Sequence, residues 1–203
     1  MNQKEIKKFL DSFLSKRERT ITVVDFGNVE KWKNGLGWRV GVRELAQLIK
    51  NFSQGHKFLR RFYYGADYGQ DESSSSLSGW SNYILTTAKM NGFEVIPKRV
   101  KYIRSVDNIY GFEKKCDLDV EMAVDLIEER HNYDTIILFS GDGDLMRAIQ
   151  HLKKEHGKHC MVMSARGHIG REVLDAKMDG IAEEILFAED FEYRLNMDRF
   201  VRR

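Results

Sequence analysis

Three groups of carboxylates in this sequence have a spacing that could do chemistry. Asp25 directly follows a short β-branched run at 20–24. Asp142 and Asp144 lie in Ser140-Gly141-Asp142-Gly143-Asp144, directly after an apolar run at 135–139. Between these groups, Asp117, Asp119 and Glu121 fall within five residues. Carboxylates held close together repel one another unless they are protonated or neutralised by cations. An all-oxygen donor set suits Mg²⁺ or Mn²⁺ rather than zinc or copper. Each acid also has a plainer use. Asp25 could begin a turn, Asp142 could cap a helix for about 0.5–2 kcal/mol, and Gly141 and Gly143 could serve the turn alone. Capping needs one residue, however, and this loop holds two aspartates while the other strand end holds a third.

The elements that must position these acids can be read from periodicity. Apolar residues at Ile6, Phe9, Leu10, Phe13 and Leu14 mark an amphipathic opening helix within 1–19, packed on the domain. The run at 20–24 reads as a strand buried on both faces, followed by a tight turn at Phe26-Gly27-Asn28. Helical spacing returns over 42–52, a second strand at 57–64, a polar loop through Ser73 to Ser76, and a helix over 77–91 that stops at Gly92. A third strand at 93–100 contains Pro97, which places it at an edge or a strand end. A basic, irregular stretch precedes a helix over 117–130, whose buried stripe is expected at Val120, Ala123, Val124 and Ile127. On that wheel Asp117 and Asp119 fall at opposite borders of the stripe, and Asp125 and Glu128 face solvent. Asp117 also suits the N-cap, which favours Asp119 as the inward acid. Strands at 135–139, 159–163 and 185–187 alternate with helices over 145–156 and from Arg171 on. Such alternation predicts a three-layer α/β fold, a mostly parallel sheet of five or six strands with helices on both faces. Ligands of such sheets bind beyond the carboxyl ends of the strands, where strand order reverses.

Composition narrows the class. The chain has 203 residues and a formal charge of +2, which suits one globular domain and does not itself argue for a polyanion partner. Its two cysteines, Cys116 and Cys160, have no zinc-site spacing and read as buried apolar residues. Residues 1–16 lack the apolar core of a signal peptide, and no stretch is apolar enough to span a membrane, which points to a reducing cytoplasm. Basic residues do collect locally, at Lys98, Arg99, Lys101 and Arg104, at Arg166, His168 and Arg171, and in the basic extension at 188–203.

The acidic segments together resemble the NYN domain, the LabA-like branch of the PIN-like ribonuclease superfamily. The resemblance is carried by Val23-Val24-Asp25-Phe26-Gly27-Asn28, by Lys115-Cys116-Asp117-Leu118-Asp119-Val120-Glu121-Met122-Ala123-Val124-Asp125, and by Tyr133 through Ser140-Gly141-Asp142-Gly143-Asp144-Leu145. It extends over about 20–187, with Gly157-Lys158 and 174–179 as later landmarks. Leu145 stands where the family often has Phe. The resemblance implies a PIN-like, Rossmann-like fold and metal-dependent RNA hydrolysis, with Mg²⁺ or Mn²⁺ held by Asp25, Asp119, Asp142 and Asp144 as the catalytic and metal-binding set. It further implies that Asn28 lines the pocket and that Ser140 orients the loop. The role of Asp179 is left open, and Asp117 and Glu121 remain alternatives for the middle ligand.

RNA would then be the partner, with its backbone seated by Arg99, Lys101, Arg166, His168 and Arg171 and unpaired bases stacked on Trp32, Trp38 or Tyr68. The opening helix and the tail offer surfaces for a homodimer. A haloacid-dehalogenase phosphatase would need a second acid two residues after Asp25, where Gly27 stands. The paired Asp142 and Asp144 do not suit a phosphoacceptor receiver. Asp25-Phe26-Gly27 has no kinase loops to accompany it. The competing reading is a catalytically weak module of the same fold that binds RNA or protein.

Overall fold

A computed structural model describes residues 3–15, 19–52, 57–71, 73–104 and 111–200. In chain order its elements are α1 (Gln3–Ser15), β1 (Arg19–Asp25), α2 (Phe26–Lys31), α3 (Lys33–Leu36), α4 (Val42–Phe52), β2 (Lys57–Ala66), α5 (Gly79–Met90), β3 (Glu94–Arg99), β4 (Lys101–Arg104), β5 (Phe112–Lys115), α6 (Asp119–Glu128), β6 (Thr135–Phe139), α7 (Met146–His156), β7 (His159–Ser164), α8 (Arg171–Met178), β8 (Glu184–Phe187) and α9 (Glu192–Leu195).

The main sheet has six strands in the order β3-β2-β1-β6-β7-β8, and every pair is parallel. Its centre is built by the two runs that read as doubly buried: residues 20–24 of β1 and all of β6 are shut off from solvent. Alternate side chains of β1 feed opposite cores, as the two-residue period of a strand requires. Ile21 and Val23 meet the layer of α6, α7 and α8, while Val24 meets α1, α2, α4 and α5. The opening helix buries Ile6, Leu10, Phe13 and Leu14 in that second core. Pro97 lies on β3, an edge strand that pairs with β2 alone, so its missing N–H costs no ladder bond.

The chain lays down β1, β2 and β3 toward one edge, then crosses over and lays down β6, β7 and β8 toward the other. Strand order therefore reverses between β1 and β6. Val24 pairs with Phe139, so Asp25 and Ser140 leave the sheet side by side at its carboxyl edge. The crevice rule puts a ligand at this point.

Four expectations are corrected. Residues 26–28 are not a free turn but the first turn of α2, with Asp25 as its N-cap: its Oδ1 accepts the Asn28 amide at 3.1 Å. The stretch expected to be irregular holds the antiparallel pair β4–β5. The buried stripe of α6 is Leu118, Met122 and Leu126, whereas Val120 and Val124 are 71% and 45% exposed. That rotation turns Asp125 inward, where it accepts the Tyr63 hydroxyl at 2.6 Å and pairs with Arg61 at 3.1 Å.

The segment from 188, read as a basic extension, packs onto the domain as far as it is described. Phe191 and Leu195 are buried, Asn196 bridges to Val40, and Asp198 receives Arg39 at 2.5 Å. Among the described residues, no helix is long and apolar enough to cross a membrane.

Candidate metal centre

The acid loop after β6 is shaped by contacts that only glycine permits. Neither Gly141 nor Gly143 has a positive φ, so neither is required for a left-handed turn. Both are needed for space. A Cβ on Gly141 would lie 1.7 Å from the carbonyl oxygen of His168, and one on Gly143 would lie 2.6 Å from Cβ of Glu172. The bare backbone lets the loop after β6 lie against the loop after β7, where the Gly170 amide donates to the Gly141 carbonyl at 2.8 Å.

Asn28 fastens the same loop to α2. Its Oδ1 accepts the Gly141 amide at 3.0 Å and the Trp32 indole N–H at 2.9 Å. Ser140 is fully buried, and its Oγ accepts the Asp142 amide at 3.1 Å while lying 3.5 Å from Asp25 Oδ2. Asp142 Oδ1 in turn accepts the Asp144 amide at 3.2 Å. Hydrogen bonds therefore fix the direction of the Asp25 and Asp142 carboxylates before any ligand arrives.

Against this loop stands the start of α6. One carboxylate oxygen from each of Asp119, Asp142 and Asp144 lies within 4.8 Å of the others. These acids and Asp25 line a single cavity of about 560 Å³. Asp25 borders the three-acid cluster without joining it, since one oxygen caps α2 and the other faces Ser140. Of the three middle acids, only Asp119 enters the cluster. Asp117 is exposed and accepts the Asp119 amide at 3.2 Å, and Glu121 is held by Lys98 at 2.5 Å.

The electrostatics follow from that crowding. The Asp119 carboxyl is pushed up to about 7, first by burial, then by its hydrogen bond to Asp117 and the charges of Asp142, Asp117 and Asp25. Asp25 is raised by burial, with a further push from Asp142, against the opposing pull of the Asn28 amide and Lys31. Cys116 also lines the cavity, and burial raises its thiol, so it stays protonated and is a poor nucleophile at neutral pH. Three carboxylates converging on one point, with the Asp119 carboxyl raised among them, form an oxygen donor set that a hard divalent cation would neutralise.

The basic residues expected around the acids are mostly engaged elsewhere. Arg99 donates to the carbonyls of Ser74 and Asp71 and lies 4.9 Å over the Tyr68 ring. Arg166 stacks 4.0 Å over Phe187 and pairs with Asp190. Arg171 pairs with Asp175 one turn along α8. Lys101 is exposed on β4, opposite Lys115. His168 contributes its carbonyl, which accepts from Ser164 Oγ at 3.0 Å, while its ring lies near Gly35. Asp179 is exposed at the far end of α8, beyond the opposite edge of the sheet.

The cations that do line the cavity are Lys31, Lys114 and Lys115. Lys114 and Lys115 arrive on the β4–β5 pair, which no sequence pattern announced. Of the aromatics expected to stack on bases, Trp32 is fully buried, and Trp38 and Tyr68 pack against the core. Two aromatics do line the cavity, the buried Tyr64 and Trp80, and of these Trp80 is 46% exposed at the start of α5. Its place in an amphipathic run concealed it.

Comparison with known proteins agrees with this architecture. The family model described as NYN domain matches residues 19–182. The chain is 36% identical over 158 residues to the low amplitude and bright protein LabA of Synechococcus elongatus, covering 78% of this chain and 80% of that protein. A crystal structure of a protein of unknown function from Vibrio parahaemolyticus superposes with a TM-score of 0.63 at 20% identity, over 84% of this chain and 93% of the other. At that identity the likeness establishes the fold alone.

Proposed function

From the premise that this chain belongs to the NYN domain family, whose members are generally nucleases, we propose that it hydrolyses RNA phosphodiester bonds with the help of Mg²⁺ or Mn²⁺. The observation that carries this reading is the convergence of Asp119, Asp142 and Asp144 within 4.8 Å at the strand-order reversal, with Asp25 beside them. The donor set fits such an ion, being all carboxylate and convergent, with burial and the neighbouring acids raising the Asp119 carboxyl. A divalent ion held by Asp119, Asp142 and Asp144 would supply an acidified water and offset the negative charge that builds on the phosphoryl oxygens.

The rest falls to the protein. Ser140 accepts the Asp142 amide and the Asp144 amide orients the Asp142 carboxylate, while Asn28 ties the acid loop to α2. Lys31 and Lys115, on the cavity wall, offer phosphate contacts that position a strand without reading its sequence. Burial keeps the Cys116 thiol protonated and a poor nucleophile, and in this reading the attacking group is water. The expected products carry a 5′-phosphate and a 3′-hydroxyl.

The test is incubation of the purified protein with labelled single-stranded and structured RNA in Mn²⁺, Mg²⁺ or EDTA, beside Asp142→Asn. Cleavage in metal that is lost in EDTA and in the variant is the expected result. Cleavage that persists in EDTA, or is undiminished in Asp142→Asn, refutes the proposal. RNA binding without cleavage under every condition would identify a binding module of the same fold.

A further inference from the structure

The acidic cavity has a neighbour. A second cavity of about 510 Å³ adjoins it, and Gly27, Glu30, Lys31 and Trp80 line both. The two are contiguous around one contact, the Trp80 indole N–H donating to Glu30 Oε1 at 2.7 Å. On the far side of that contact Trp80 stacks on Tyr83, with ring centroids 5.5 Å apart and planes 29° from parallel. Both rings are large and open to solvent, at 46% and 40% exposure. Two exposed aromatics on successive turns of a helix usually find cover in the fold. These are instead held in place by Glu30 and by each other.

The second cavity is also cationic on one wall. Lys31 and Lys33 line it, both are exposed, and neither has an ion-pair partner among the described residues. Arg39, on the same wall, is engaged by Asp198. A rigid aromatic platform beside free ammonium groups, continuous with a phosphodiester-cleaving centre, has the features of a track for an unpaired strand. Bases stack on aromatic faces whatever their identity, and lysines follow the backbone. A base-paired duplex would not present its faces to the platform.

We infer that the groove of Trp80, Tyr83, Lys31 and Lys33 binds an unpaired polynucleotide strand and leads it into the acidic cavity. This rests on the hydrolytic reading above and adds a binding track, with its residues, to it. Glu30 is a positioning residue here, orienting Trp80.

The test is fluorescence anisotropy with a labelled ten-nucleotide uridine RNA, a DNA strand of matching sequence, and a duplex of the same length. Binding is measured in EDTA and, for Asp142→Asn, in Mg²⁺, so that no cleavage intervenes. The expected result is binding of either single strand at least about tenfold tighter than the duplex. Trp80→Ala and Tyr83→Ala should each weaken it about tenfold, the worth of one stacked base. Trp80→Phe, which keeps a stacking face but loses the bond to Glu30, should bind between Trp80→Ala and the parent, and Lys31→Gln with Lys33→Gln should flatten the salt dependence by about two phosphate contacts.

Unchanged binding in Trp80→Ala, equal affinity for duplex, or no oligonucleotide binding under either condition, as a peptide groove would give, overturns the inference. The two proposals fail separately. Binding through Trp80 without cleavage in Mn²⁺ sinks hydrolysis and leaves the track. Cleavage whose KM and kcat are unmoved by Trp80→Ala sinks the track and leaves hydrolysis.

Discussion

Gly141→Ala tests whether the acid array depends on two loops touching. The new Cβ would meet the His168 carbonyl oxygen at 1.7 Å and Ser164 Oγ at 2.4 Å, and real Cβ atoms essentially never come within 3.0 Å of another heavy atom. The backbone would have to move by about 1.3 Å, because the blocking atom is main chain and cannot rotate away. That movement strains the Gly170 to Gly141 bond of 2.8 Å and the Ser164 to His168 bond of 3.0 Å. Overpacking costs about 1–3 kcal/mol and each lost hydrogen bond about 1 kcal/mol, so the sum is about 3–5 kcal/mol. At about 2–4 °C per kcal/mol for a domain of this size, Tm should fall by about 10 °C.

The matched control is Gly157→Ala, at φ +62 with open space around it. It carries only the left-handed penalty of about 1–2 kcal/mol. Thermal unfolding by circular dichroism measures both variants, and calorimetric titration with Mn²⁺ follows the acid array. Gly141→Ala should lose Mn²⁺ affinity at temperatures where it is still folded, and Gly157→Ala should retain it. Equal Tm values with equal Mn²⁺ affinity would refute the loop-contact argument.

Three further outcomes follow from single contacts. Asp119 has a folded-state carboxyl raised to about 7, so in metal-free protein its charge costs stability as pH rises from about 4 through 7; Asp119→Asn should remove that slope, seen as a smaller Tm difference between pH 5 and pH 8 in EDTA. Asp67 is held at about 2, since Lys114, Tyr102 and the Gly69 amide outweigh its burial; its contribution is present above about 4 and is lost as pH falls toward 2, and Asp67→Asn should speed amide exchange in β4 and β5 at neutral pH while lowering stability by about 1 kcal/mol. Asn28→Ala leaves the Gly141 amide and the Trp32 indole without their acceptor, at about 1–3 kcal/mol each, and should reduce RNA cleavage by more than the unfolded fraction explains; cleavage at the parent rate would show that the tie between α2 and the acid loop is dispensable.

How far the site was legible depends on where each residue's partners come from. Residues 20–24 and 135–139 announced themselves because a strand buried on both faces must be apolar throughout, a property of the segment alone. That the two strands are neighbours follows from the crossover, and the acids at their ends then adjoin by register. The basic residues failed as predictors because sequence proximity to a strand end says nothing about competing acceptors. Arg99 finds its acceptors at the carbonyls of Asp71 and Ser74. Arg171 is the instructive exception, since Asp175 stands at i+4 in the sequence and that spacing by itself pairs the two on a helix.

The α6 helix sets the deeper limit. Apolar residues occupy 118, 120, 122, 123, 124, 126 and 127, so they nearly encircle the helix and its own wheel cannot choose a face. The sheet chooses: Tyr63 and Arg61 on β2 draw Asp125 inward, and Leu118, Met122 and Leu126 are buried with it. With that rotation set, Asp119 stands at the border above half-buried Ala123 and faces the acid loop, while Val120 turns to solvent. The middle acid is therefore selected from across the domain, by a tyrosine and an arginine that touch no part of the acid cluster. Tyr63→Phe with Arg61→Met should loosen that selection, so that Mn²⁺ affinity falls although every acid is kept. Undiminished affinity in this double variant would mean that the acid loop and Leu118 alone hold Asp119 in place.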